Sequence, residues 1–188
     1  MRRTRTDRIL AALRPEESAQ VLARLVHEHT ELRGEVEQIA RALLGGVDHL
    51  EVAGRLEGLI CGMDLDELYA GAGRSIGGYV EPTEAVWRNL EEQVEPFLDD
   101  IRRRAALGLE DAAREYCKGV VLGLYRLEYG PDWDGHGDAP DWAAEMAGEA
   151  VRIWRVTRRP SATSAQRSRG ALPRAFVRAC TPEWSRML

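Results

Sequence analysis

Apolar positions recur along this chain at the three- and four-residue spacing of helices and almost nowhere alternate with period two. Pro15 suits a first helical turn, with Glu16 and Glu17 near its positive end. From there Leu22, Leu25, Val26 and His29 share a face. Thr30 is the expected N-cap of the next helix, where Leu32, Val36, Ile39, Ala40 and Leu43 share a face until Gly45-Gly46 stops it. Residues 15–44 therefore read as two closely joined helices. Asp48 caps a third helix with Leu50, Ala53, Leu56, Leu59 and Ile60 inward, and Gly62 ends it. Asp64 caps a short fourth through Leu65, Leu68 and Tyr69. Gly71, Gly73, Gly77 and Gly78 then mark an irregular connection.

Pro82 opens the longest helix, 82–107, with Val86, Leu90, Val94, Phe97 and Ile101 as its stripe. Pro96 is expected to bend it, because the ring removes an amide donor and crowds the preceding turn. Gly108 closes it. Over 109–129, Tyr116, Cys117, Val120, Val121, Leu124, Tyr125 and Leu127 wrap most of the circumference, which predicts a central helix. Gly119 and Gly123, four apart, would let a neighbouring backbone approach it closely. Asp141 caps a last helix carrying Ala143, Met146, Ala147, Ala150, Ile153 and Trp154. The pattern predicts an all-α fold of stacked antiparallel helical hairpins, either α-solenoid-like or an irregular helical bundle. The expected hairpins are 15–29/30–44, 48–61/64–72 and 82–107/109–129.

Charge divides the chain further. Residues 1–14 carry five arginines against Asp7, and residues 155–188 carry eight against Glu183. The whole chain is −5, so the stretch between them carries −16. The expected organisation is a basic segment at 1–14, a helical domain at 15–157 and an Arg-rich flexible tail at 158–188, with a short helix at 172–180. Ser161–Gly170 has a linker's composition. The acidic body disfavours nucleic acid lying across it, because phosphates are repelled. Cys61, Cys117 and Cys180 are far apart and odd in number, which reads as reduced thiols, with Cys61 and Cys117 as small core residues. Neither a secretory core nor a stretch near the roughly 20 apolar residues of a spanning helix is present, so a cytoplasmic protein without membrane contact is expected. Base usage is almost wholly arginine, as in GC-rich bacterial genomes.

The candidate chemistries each lack a part. His27-Glu28-His29 places its imidazoles about 200° apart on a helix, too far round to share an ion. Neither HExxH nor a Glu three residues before any of His27, His29, His49 and His136 occurs. Asp132–Asp138 resembles a calcium loop, but with Asp132 first the twelfth position is Ala143 and the bidentate carboxylate is missing. Gly71–Gly78 resembles a phosphate loop, but Gly78-Tyr79 stands where Lys-Ser/Thr is needed. Glu84, Glu91, Glu92, Glu95, Asp99 and Asp100 line the long helix; Glu81/Glu84 and Glu92/Glu95 make ExxE pairs, with no ExxD to complete a magnesium site. The nucleophile, kinase and methyltransferase signatures are missing too. No catalytic residue, cofactor or metal ligand is assigned.

Gly77–Trp87, Glu95–Ile101 and Lys118–Arg126 resemble uncharacterised bacterial helical-repeat (HEAT/TPR-like) domains that sometimes accompany SWIM-type zinc fingers. The resemblance covers residues 15–155 and implies a helical-repeat domain without assigned catalysis. The CxC…CxH cluster of SWIM fingers is missing, so zinc binding does not carry over. The leading expectation is a non-catalytic module that binds a protein partner through Arg74, Tyr79 and Trp87, on a backbone-exposing loop and helix start. The alternatives are a polyanion or nucleic-acid binder acting through Arg158, Arg159, Arg167, Arg169, Arg174 and Arg178, and a metal-dependent hydrolase with a carboxylate site.

Overall fold

In the computed structural model, the described residues are 5–75, 78–130, 139–157 and 172–188. They are mostly helical, with one two-stranded sheet. The chain divides into two units, Met1–Leu43 and Leu44–Leu188. The boundary between them falls near the end of the third helix.

The first unit carries α1 (Arg5–Ala11), α2 (Pro15–Glu28), a 3₁₀ turn (Thr30–Leu32) and most of α3 (Arg33–Gly45). A helix thus forms within the basic segment. The Glu17 carboxylate accepts from the Arg14 amide at 2.8 Å, closing the first turn of α2 behind Pro15. Thr30 does not cap α3; it opens the 3₁₀ turn that leads into it. Neither α2 nor α3 buries a single side chain.

The second unit is built on α4 (His49–Cys61), α5 (Leu65–Leu68), strands β1 (Gly73–Ser75) and β2 (Gly78–Val80), α6 (Pro82–Ala106), α7 (Glu110–Tyr129), α8 (Trp142–Thr157) and α9 (Arg174–Cys180). Two expected caps form. The Asp48 carboxylate accepts from Leu50 N–H at 2.9 Å, and Asp64 and Glu67 make a reciprocal capping box at 2.8 and 3.2 Å. Helix α6 continues through Pro96. It ends at a turn where Gly108 adopts φ 73°, a conformation that costs glycine nothing.

Helix α7 is central, as its all-round apolar pattern predicts. Eleven of its residues are buried, and α4, α6 and α8 all pack on it. The closest approach is α4 over Gly119 and Gly123. A Cβ at position 119 would lie 2.5 Å from Val52 Cβ and 2.8 Å from His49 O. Helix α4 therefore pairs with α7 rather than with α5, and the expected 48–61/64–72 hairpin does not organise the core. Trp142 and Trp154 of α8 are the largest fully buried side chains.

Three other expectations are corrected. Cys61 is exposed, because it ends α4 just past the inward-facing Ile60. The glycine connection contains an antiparallel hairpin, with Arg74 opposite Tyr79. And residues 172–188 are not a loose tail. Leu172, Phe176, Val177 and Trp184 enter the same core as α7 and α8, because their spacing puts the apolar residues on one face while Arg174, Arg178 and Arg186 stay exposed. The expected linker, 158–171, lies outside the described residues.

Candidate functional site

Asn89 holds the segment that leads into the hairpin carrying Arg74 and Tyr79. Its amide donates to Glu67 O, Leu68 O and Ala70 O at 3.2, 2.9 and 3.0 Å. Arg88 adds a contact to Ala70 O at 3.3 Å. These carbonyls lie in the last turn of α5 and just past it, and Glu67 O also accepts from the Ala70 amide at 3.3 Å. Gly71, at φ 81°, then turns the chain outward. Arg74 and Tyr79 thus stand side by side on an exposed ribbon, with Tyr79 61% exposed. Trp87 is partly buried against the core from α6.

The acidic run of α6 finds a partner in sequence-distant residues. Glu91, Glu92 and Glu95 face Glu145 and Glu149 of α8 across an open groove of about 520 Å³, with Leu98 and Met146 among its lining. Glu145 and Glu149 were not singled out by sequence; their four-residue spacing on a helix was the only signal. Arg102 holds Glu95 and Asp99 at 2.5 and 2.6 Å, and those carboxylates raise its pKa. Arg152 pairs with Glu149 and holds that carboxyl below its usual value, chiefly through the hydrogen bond. The groove keeps a carboxylate excess that suits cationic groups. Among the described residues no group of three or more His, Cys, Asp or Glu side chains is placed to hold a metal ion.

The other sequence candidates scatter. His27 and His29 are exposed at the end of α2, and His49 meets Glu115 at 3.4 Å beneath α9. Glu115 also binds Lys118, the chain's one lysine, at 2.8 Å, and the Lys118 ammonium sits 5.0 Å over the Phe176 ring. These contacts tie α9 to α7. Burial pushes the Cys117 thiol up to about 12, which leaves it protonated and unreactive at neutral pH. Arg174 and Arg178 are exposed on α9 and Arg186 just beyond it. Arg158, Arg159, Arg167, Arg169, His136 and the Asp132–Asp138 loop lie outside the described residues. No helix among the described residues is long and apolar enough to cross a membrane.

No family model, curated protein or solved structure matches this chain. The surfaces themselves therefore carry the functional reading. Beside the hairpin and the groove there is a third. Val21, Leu22 and Leu25 of α2 and Ile39 and Leu43 of α3 are between 42% and 76% exposed, at helical spacing, with polar residues on the opposite faces. Such stripes on a folded helix mark an interaction surface more often than scattered apolar residues do.

Proposed function

We propose that this chain is a non-catalytic protein-interaction module. The observation that carries the reading is the uncovered apolar stripe of α2 and α3: two amphipathic helices that bury nothing within their own unit. Helices of 13 and 14 residues are marginal alone in water and gain stability chiefly from packing that face. A partner that covers the stripe supplies that packing. The Arg74–Tyr79 ribbon is a second contact surface, with an aromatic anchor beside a cation. Of the two expected architectures, the irregular bundle fits better than the solenoid, because α7 packs against α4, α6 and α8 rather than against neighbours alone.

The test uses the full chain as bait, with the partners it retains identified by mass spectrometry. Leu22→Asp/Leu25→Asp is expected to lose them, and Arg74→Ala/Tyr79→Ala to weaken retention. Retention by apolar contact changes little with salt. Retention that falls steeply between low and physiological salt, and that survives both sets of substitutions, would instead belong to a polyanion bound by the C-terminal arginines and would sink the module reading.

A further inference from the structure

We propose that the face of α7 beneath residues 172–188 is a peptide-binding surface, and that this segment is its built-in occupant, displaceable by a partner peptide of the same pattern. The inference goes beyond the α2–α3 stripe and the hairpin, and it rests on residues of the second unit alone.

The walls of this seat have the make-up of a recognition surface. Phe176 lies between the Lys118 ammonium, 5.0 Å from its ring centre, and the His49 ring of α4, edge-on at 5.9 Å. Trp184 meets Tyr125 edge-on at 5.2 Å and Tyr129 at 6.2 Å. The Tyr125 hydroxyl donates to the Glu183 carboxylate, and the Arg155 guanidinium of α8 donates to Leu188 O at 2.8 Å. Aromatic rings with polar tips and cations are the side chains that binding surfaces concentrate, and they tolerate water when uncovered. Tyr129 is already 52% exposed.

The occupant is self-contained. Its amides bond within the segment, Val177 to Pro173 O, Thr181 to Val177 O, Trp184 to Thr181 O and Leu188 to Trp184 O, at 2.9–3.2 Å. Releasing it therefore takes no backbone partner from the helices beneath. Charge draws it back. Residues 44–157 carry 11 basic residues against 23 acidic ones, while residues 172–188 carry three arginines against Glu183. The pattern a competing peptide must copy is an aromatic residue, a Glu-Trp pair seven and eight residues further on, and cations on the outer face.

The connection sets the strength of the competition. Fourteen residues, 158–171, join α8 to the segment. A connection that short gives the segment an effective concentration of about 1 mM at its seat. A free peptide therefore competes with the intact segment only near that concentration, and far below it once the segment's own grip is loosened.

A fluorescently labelled synthetic peptide of residues 172–188, titrated with the full chain and followed by anisotropy, tests this. The expected result is binding to the parent chain only near about 1 mM, and to a Phe176→Ala chain about a hundredfold tighter. The same peptide carrying Trp184→Ala should bind neither. Hydrogen exchange on the parent chain supplies the second measurement: the Val177, Thr181 and Trp184 amides should exchange about tenfold or more faster than the buried amides of α7. A Phe176→Ala chain that folds and binds the peptide no tighter than the parent overturns the inference. So does exchange of the segment's amides together with those of α7, which would make the segment an inseparable part of the core. If Phe176→Ala does not fold, the exchange measurement decides. Either failure leaves the stripe reading standing, because both measurements report on residues 44–188.

Discussion

Gly119→Ala probes the packing on which the second unit depends. Alanine is worth about 1 kcal/mol more than glycine inside a helix, so propensity alone favours the substitution. The structure opposes it. The added Cβ meets Val52 Cβ at 2.5 Å and the His49 carbonyl oxygen at 2.8 Å. Neither atom is the end of a flexible chain: one is fixed to the α4 backbone and the other belongs to it. Helix α4 must shift, and overpacking of this kind costs about 3 kcal/mol at the upper end of its usual range. The net effect is a loss of about 2 kcal/mol, or about 4–8 °C in the melting temperature of a unit this size. Gly123→Ala meets Ala53 O at 3.0 Å and Ala53 Cα at 3.2 Å, so strain and propensity nearly cancel and the melt moves little. Gly54→Ala, on the exposed side of α4 with nothing within 4 Å, keeps only the propensity gain and should melt about 2–4 °C higher. Circular dichroism melts of the three variants give the order. If Gly119→Ala melts at or above the parent protein, α4 does not cross α7 at Gly119 and the account of the core is wrong.

The remaining expectations concern the C-terminal segment, the thiols and alkaline pH. Trp184→Ala empties a site that is 5% exposed and should cost about 3–5 kcal/mol in chemical denaturation; a silent substitution would mean the segment is dispensable. With a colorimetric thiol reagent, the exposed Cys61 should react fast and the buried Cys117 only on unfolding, and early loss of Cys117 would contradict its burial. Tyr116 and Tyr125 are both pushed up to about 12, by burial first and then by Asp100 and Glu183 respectively. A pKa raised above the unfolded value of about 10 adds stability that is whole below pH 10 and lost as pH climbs towards 12. Denaturation midpoints should therefore fall across that window, less steeply in Tyr125→Phe, and an equal slope in the variant would remove Tyr125 as a cause.

What could be read from the chain and what could not divides along a physical line. Helix positions followed from periodicity and from Asp48, Asp64, Pro15, Pro82 and Gly108, because caps and stops act within a few residues of where they are written. Gly119 and Gly123 even announced a close crossing, since two small residues on one turn of a buried helix have little other use. The partner in that crossing, α4, is some 70 residues away, and nothing local specifies it. The hairpin escaped because its strands are three residues long and rich in glycine, too short for an alternating pattern to show.

The acidic groove escaped for the converse reason. Glu91, Glu92 and Glu95 were visible as a solvated face, and only the packing of α6 on α8 makes them one wall of a cleft whose other wall is Glu145 and Glu149. Residues 172–188 misled because their arginines dominate the composition while four apolar side chains decide their place. Leu172, Phe176, Val177 and Trp184 each gain about 2 kcal/mol from burial, while the cations of the segment remain in water. Net charge describes what a segment presents to solvent, and the spacing of its apolar residues decides whether it packs. The same argument in reverse governs α2 and α3. Their apolar spacing is as regular as that of α9, yet their stripe remains in water, and that unspent burial is what makes the N-terminal unit the place to look for a partner.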